Sequence, residues 1–207
     1  MALSQWLAPL WLHPMRRAQS RHLVLAVATA WCALLPVHAQ TAAAEGGPAR
    51  AQALQALAQP SARARFEAIV RLAAIGTMAD ADVVALRLHD DDPRVRGIAA
   101  AAMWEIWSRS GNKAIDSQYQ QGVEQMSASR LKEAVGTFTA IIKKQPGFAE
   151  AWNKRATLYF MLGEYQLSLK DCDEVLKRNR NHFGALSGYA QIYTHLGDFK
   201  RAITYLE

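Results

Sequence analysis

Cysteine is nearly absent: the 207 residues contain two, Cys32 and Cys172. Without a cysteine framework, a small disulfide scaffold is excluded. Apolar runs of membrane-spanning length are also missing. The longest uncharged stretch of that kind, Leu23 to Leu35, has 13 residues, whereas a spanning helix needs about 20. Charge of one sign is weak as well. Lys and Arg number 24 against 18 Asp and Glu, and Arg16, Arg17 and Arg21 supply three of the 24, so without residues 1–39 the balance is 21 against 18. Nucleic-acid binding needs a clustered basic stripe. Here Lys143-Lys144, Lys177-Arg178 and Lys200-Arg201 sit near helix ends, where cations complement the helix dipole. No nucleic-acid partner is expected.

Motifs of chemistry are missing too. His13, His22 and His38 precede residue 40, and His89, His182 and His195 have no cysteine or carboxylate at metal-ligand spacing. There is no glycine-rich phosphate loop and no Gly-x-Ser-x-Gly elbow. Asp171 and Asp173 lie two apart on a helix and diverge by about 200°, so they form no acid pair. The run Asp90 to Asp92 is explained by helix capping more simply than by a cation. The sequence therefore predicts a non-enzyme with no catalytic residue, cofactor, metal or small-molecule substrate.

What is present begins with an export signal. Arg16, Arg17 and Arg21 precede the apolar run, and Pro36 and the triplet Val37-His38-Ala39 come after it with small residues at the cleavage positions. Residues 1–39 read as a signal peptide cut near Ala39, leaving Gln40 first and the chain periplasmic or secreted. The alternative is an uncleaved anchor in the inner membrane facing the periplasm, the membrane being touched only through that segment. Trp6, Leu7, Leu10, Trp11 and Leu12 make a long apolar start, and Met15 gives a more compact one. Arg16-Arg17 lacks the flanks of a twin-arginine signal, and Trp31 spoils a lipoprotein box at Cys32. Cys172, the one thiol left after cleavage, falls at a packing position of a repeat in the C-terminal half.

Residues 40–60 are rich in Ala and Gln around Gly46, Gly47 and Pro48, predicting a linker and a short helix near Ala49 to Ala58. Residues 61–110 form a helical unit. Phe66, Ile69, Val70 and Ala73 fall at helical spacing, as do Val83, Val84, Leu86 and Leu88, and Val95, Ile98, Ala99, Ala102 and Ile106. In Asp90-Asp91-Asp92-Pro93-Arg94-Val95-Arg96, Asp92 caps a helix that opens at Pro93, with Val95 inward. That passage resembles the turn of HEAT-like repeats. Trp104, Ile106 and Trp107 are expected to dock this unit on the first copy of the C-terminal repeat.

Residues 115–207 repeat with a period of about 34: 115–148, 149–182 and an incomplete 183–207. Ala134, Ser168 and Ala202 share one column, Leu131, Tyr165 and Phe199 a second, and Phe138, Cys172 and Leu206 a third. The middle copy has Trp152, Ala156, Tyr159, Gly163 and Tyr165; the third has Leu186, Ala190, Tyr193, Gly197 and Phe199. The first has Gly122, Ala134, Phe138 and Pro146, but Gln118, Gln125 and Ser129 where the others have an aromatic or bulky residue, an aromatic and a glycine. Pro146 stops its helix. The middle copy carries Arg180 there, so its helix end is expected to rest on Asn179 and Asn181 in the left-handed region.

These columns resemble the tetratricopeptide repeat. The resemblance implies an all-α protein, an α-solenoid of helix-turn-helix repeats preceded by the HEAT-like helices, with a concave surface that binds a protein or peptide partner. Its first helices line that surface: Asp116, Tyr119, Val123, Met126 and Ser127; Glu150, Asn153, Thr157, Phe160 and Met161; Gly184, Ser187, Gln191, Thr194 and His195. The lining is nearly neutral and amide-bearing, which suits an extended peptide or an amphipathic helix. Tyr119, Asn153, Thr157, Phe160, Gln191 and Thr194 are the expected contacts. The Lys and Asn clamp that some members use for carboxylates is absent, because Tyr119, Val123 and Lys154 occupy its places. Arg155 stands at a usually apolar position and is expected to pair with Asp171 or Asp173. The third copy stops after 25 positions, so its open edge is expected to be continued by further chain or covered by a partner. The reading is an exported adaptor, with an accessory subunit of an envelope enzyme or secretion complex as the alternative.

Overall fold

The computed structural model describes residues 47–205, so the signal segment, Met15, Cys32 and Leu206 lie outside the described residues. Every regular element among them is helical. The chain divides between Asn112 and Lys113 into two compact units.

In the first unit, α1 (Pro48–Ala56), α2 (Ala62–Ile75), α3 (Ala81–Ala85) and α4 (Pro93–Trp107) are joined by 3-10 turns at Met78–Asp80 and Leu86–His89. Local chemistry sets the starts. Pro48 and Pro93 occupy first-turn positions where no N–H is needed. Ser61 Oγ and Asp92 Oδ1 accept the N–H groups of Ala64 at 3.3 Å and Arg94 at 2.8 Å. Ile69, Leu72, Val84, Val95, Ala99, Ala102 and Ile106 form the core. The expected faces need two corrections. On α2, Ala68 and Leu72 are buried instead of Phe66, Val70 and Ala73, which are half-buried. Around Val83 to Leu88 the helix breaks after five residues into a 3-10 turn, and Val83 and Leu86 face solvent. Ion pairs bind the layers together. Arg50 grips Asp80 and Arg65 grips Asp90 with two bonds each, the bidentate geometry guanidinium favours. The Arg65 pair holds the Asp90 carboxyl down at about 2 against burial.

In the second unit, α5 (Lys113–Ser127), α6 (Leu131–Lys144), α7 (Ala149–Met161), α8 (Tyr165–Arg178), α9 (Phe183–His195) and α10 (Phe199–Thr204) make three successive hairpins. The second helices open at Leu131, Tyr165 and Phe199, 34 residues apart. Each hairpin turns in the same way. The N–H groups of Arg130, Glu164 and Asp198 reach back to the carbonyls of Gln125, Tyr159 and Tyr193 at 2.8–2.9 Å, the Schellman closure. It demands positive φ at Ser129 (57°), Gly163 (79°) and Gly197 (76°). Ser129 is the one non-glycine residue with positive φ among the described residues. Ser129→Gly is therefore expected to stabilise the first hairpin by roughly 0.5–1 kcal/mol, the left-handed penalty less the added chain entropy of glycine. Urea denaturation checks it, and a loss of stability would contradict it.

The second repeat ends otherwise than its sequence suggests. Asn179 is extended, with φ −145°, and neither it nor Asn181 is left-handed. The end is held by side chains, since Asn179 Oδ1 accepts the Asn181 N–H at 3.2 Å.

Two apolar clusters fill the seams between hairpins. Phe138, Ile141, Phe148, Ala151 and Leu158 belong to one, and Ala156, Cys172, Val175, Ala185 and Tyr189 to the other. A size exchange relates them. Phe138 fills its seam against Gly122, where an added Cβ would lie 2.7 Å from the ring. One repeat later the smaller Cys172 occupies the place of Phe138, and Ala156 that of Gly122. Cys172 is fully buried, and burial pushes its thiol up to about 12, so it packs as a protonated hydrophobe. Arg155 pairs with Asp171, through two bonds of 2.7 and 2.8 Å, while Asp173 accepts from Tyr189.

Candidate functional site

The first helices α5, α7 and α9 carry the side chains expected to line a groove, and the structure divides them into three groups. Tyr119, Asn153 and Thr157 are buried; Phe160 and Gln191 are half-buried; Thr194, His195 and Met161 are exposed. The expectation that Asn153 and Thr157 project freely is therefore corrected. Their positions give the right helix face, but neighbouring side chains cover it.

Glu150 lies against Asn153 from within. Its carboxylate is 1% exposed. Oε1 accepts from Tyr119 Oη at 3.3 Å on α5 and pairs with Lys154 Nζ at 3.0 Å one turn along α7. Oε2 accepts from Asn153 Nδ2 at 3.1 Å and meets His182 Nε2 at 2.9 Å. His182 caps α9: its Nδ1 accepts the Ala185 N–H at 3.2 Å. With Nδ1 used as acceptor, Nε2 carries the proton and donates to Glu150. One carboxylate thus touches all three hairpins. Burial alone raises its pKa, but Lys154 and His182 outweigh burial and hold it well below the ordinary carboxylate range, at about 2. Because the folded value lies below the unfolded one, this stabilisation is complete above the ordinary value of 4.5 and is lost as pH falls from there towards about 2. Acid titration of unfolding should show that loss, and Glu150→Gln should flatten it. An unchanged acid profile would contradict it.

Thr157 donates to the Asn153 carbonyl at 3.0 Å and so is turned onto its own helix. Asn153 Oδ1 is buried with no hydrogen-bond partner. Further along the face the side chains reach solvent. Phe160, Tyr165 and His195 form a cluster across the second and third hairpins, with Tyr165 Oη 2.7 Å from His195 Nε2 and the Tyr165 and His195 rings 4.7 Å apart. Met161 and Leu196 lie exposed near the ends of their helices. The sequence pointed to Glu150 and His195 only as lining positions and missed His182 altogether. The i, i+4 spacing of Glu150 and Lys154 was the one legible signal, since His182 lies 32 residues from its partner.

Comparison with known proteins agrees with this repeat geometry. A family model for the tetratricopeptide repeat matches residues 149–182, and a second model of the same description matches 184–207. Over 113 residues the chain is 34% identical to a TPR repeat-containing protein of Rhizobium etli, the match covering 55% of each chain. The chain thus spans about half the length of that curated relative. Residues 149–182 and 184–207 are tetratricopeptide repeats, and among the described residues every regular element is helical, in keeping with an α-solenoid.

Proposed function

We propose that the repeat unit is the binding module of an exported adaptor, and that a peptide or a partner's helix lies along α5, α7 and α9. One observation carries this reading: the strong charges around α7 are consumed internally. Glu150 is paired with Lys154 and His182, and Asp171 with Arg155. What remains for a partner is apolar, hydroxyl and amide surface at Phe160, Met161, Gln191 and Thr194. Such a surface favours backbone hydrogen bonding and apolar packing over recognition of phosphate or nucleic acid. No catalytic role is assigned to it.

The helices of residues 61–110 serve as a HEAT-like companion unit, and the mature protein starts at Gln40 outside the inner membrane. N-terminal sequencing of the exported chain tests the last point. Mature protein that keeps Arg16-Arg17 would contradict it.

The groove is tested by selecting peptides from a displayed random library on the immobilised full chain. Gln191→Ala with Thr194→Ala should weaken the selected peptides at least about tenfold. Because both residues are at least partly solvent-facing, the double variant should melt within a few degrees of the parent. Undiminished binding by the folded double variant would remove these residues from the site.

A further inference from the structure

We propose that His195, aimed by Tyr165, is the residue by which the groove selects its partner, and that the partner is a segment presenting an Asp or Glu side chain at the end of α9. The inference deepens the groove reading and rests on it, because His195 follows Gln191 and Thr194 on α9.

The tautomer of His195 is set by its neighbour. Tyr165 Oη lies 2.7 Å from His195 Nε2. A phenol is a stronger donor than a neutral imidazole N–H, and an imidazole nitrogen is a stronger acceptor than a phenol oxygen, so the hydroxyl donates and Nε2 accepts. The ring proton is thereby placed on Nδ1, because the bond at one nitrogen fixes the state of the other. The ring is also held in position, with its centroid 4.7 Å from that of Tyr165 and 6.4 Å from that of Phe160. His195 is nonetheless exposed, and its one hydrogen bond among the described residues is the one to Tyr165. His182 differs, for both of its nitrogens are engaged inside the fold. The Nδ1–H of His195 is therefore a preset donor without an acceptor among the described residues.

A carboxylate is the acceptor that gains most from it. Hydrogen bonds to an ionised acceptor are roughly twice as strong as neutral ones, and the last turn of a helix favours the positive charge that a carboxylate draws onto an imidazole. Met161 and Thr194, the other exposed lining residues of α7 and α9, carry no charge. The carboxylates of the repeat unit nearest in sequence or along the lining are already engaged: Glu150 by Lys154 and His182, and Asp198 by Arg201.

Two measurements test it, the first without any partner. Long-range proton–nitrogen NMR of the full chain, with the ring neutral and its signals assigned through His195→Gln, should find the proton on Nδ1. Tyr165→Phe should move most of it to Nε2, the tautomer that an unconstrained histidine side chain prefers. A proton on Nε2 in the parent, or a tautomer unchanged in Tyr165→Phe, would overturn the proposal. The second measurement uses peptides selected from a displayed random library on the immobilised full chain, which should share an Asp or Glu. Replacing that residue by its amide, or His195 by Gln, which lacks a donor at the Nδ1 place, should each weaken binding roughly tenfold or more. The two changes together should weaken it little further, since one contact has been removed twice. His195→Asn, whose amide nitrogen stands where Nδ1 was, should recover part of the affinity. The variants should melt within a few degrees of the parent, because the side chain is exposed. Peptides that lose affinity on Gln191→Ala with Thr194→Ala but not on His195→Gln would overturn the proposal and leave the groove reading standing. Peptides indifferent to all three substitutions would overturn both.

Discussion

Arg155→Ala is expected to destabilise the repeat unit by about 3–5 kcal/mol, because it leaves the Asp171 carboxylate buried without its cation. Asp171 is 4% exposed and takes both of its strong hydrogen bonds from Arg155. The guanidinium also donates to Thr139 Oγ1 and lies over the Trp152 and Tyr159 rings at 5.0 and 5.6 Å, so its stem and face are lost with its charge. The two partners shift in ways that point to different balances. Burial pulls Arg155 down and Asp171 more than restores it, whereas burial pushes Asp171 up and Arg155 does not fully bring it back. The carboxylate is the better guide to cost, since the guanidinium stays charged at any pH of interest. A raised Asp171 means that the pair does not offset its own desolvation. Replacing both, Arg155→Met with Asp171→Leu, should therefore recover most of the loss. Urea denaturation read through exchange at residues 149–178 decides it, and a double variant as unstable as Arg155→Ala would show that the pair is a net stabiliser.

Phe138→Ala should cost a similar amount, about 3–5 kcal/mol, as for other large aromatics removed from a packed core. The ring is wholly buried, lies edge-on to Tyr119 with centroids 5.7 Å apart and fills the space left by Gly122. Gly122→Ala alone should cost up to about 2 kcal/mol. A helical glycine replaced by alanine normally gains about 1 kcal/mol, but here the new methyl would enter the Phe138 ring and overpacking costs about 1–3 kcal/mol. Gly136→Ala, on the open face of α6 with nothing within 4 Å of the new Cβ, is the control and should stabilise. Combining Gly122→Ala with Phe138→Ala should cost less than the sum, because the truncated ring gives the methyl room. Strict additivity of the two would mean that Gly122 and Phe138 are not coupled.

The periodic part of this structure was legible in the sequence because its causes are local or repeated. Hairpin turns follow from Gly163 and Gly197, and Ser129, which stands in their column, shares their conformation. The cap at Asp92 and the inward Val95 followed from chemistry within one or two turns of helix, and the buried Cys172 from its repeat column. Arg155 and Asp171 are 16 residues apart, yet the hairpin brings them together and a charge at an apolar position advertised a partner. The candidate site was less legible. A repeat position tells which face a side chain occupies but not what its neighbours lay over it, so Asn153 and Thr157 looked open and are buried. His182 gave no signal, since its role depends on a carboxylate a full repeat away. The break after Ala85 was missed for the opposite reason: the apolar residues from Val83 to Leu88 fit a helix, but Val83 and Leu86 find no core to face.

A protein partner lying along the first helices of the repeats can be caught by site-specific photo-crosslinking in the native host. The photoreactive residue is placed in turn at Met161 and Thr194 on α7 and α9 and at Gln166 and Lys170 on α8, all four exposed. Crosslinks to one protein from Met161 and Thr194, with none from Gln166 and Lys170, are expected. Crosslinks to that partner from Gln166 and Lys170 alone would contradict this placement and move the interface to the second helices.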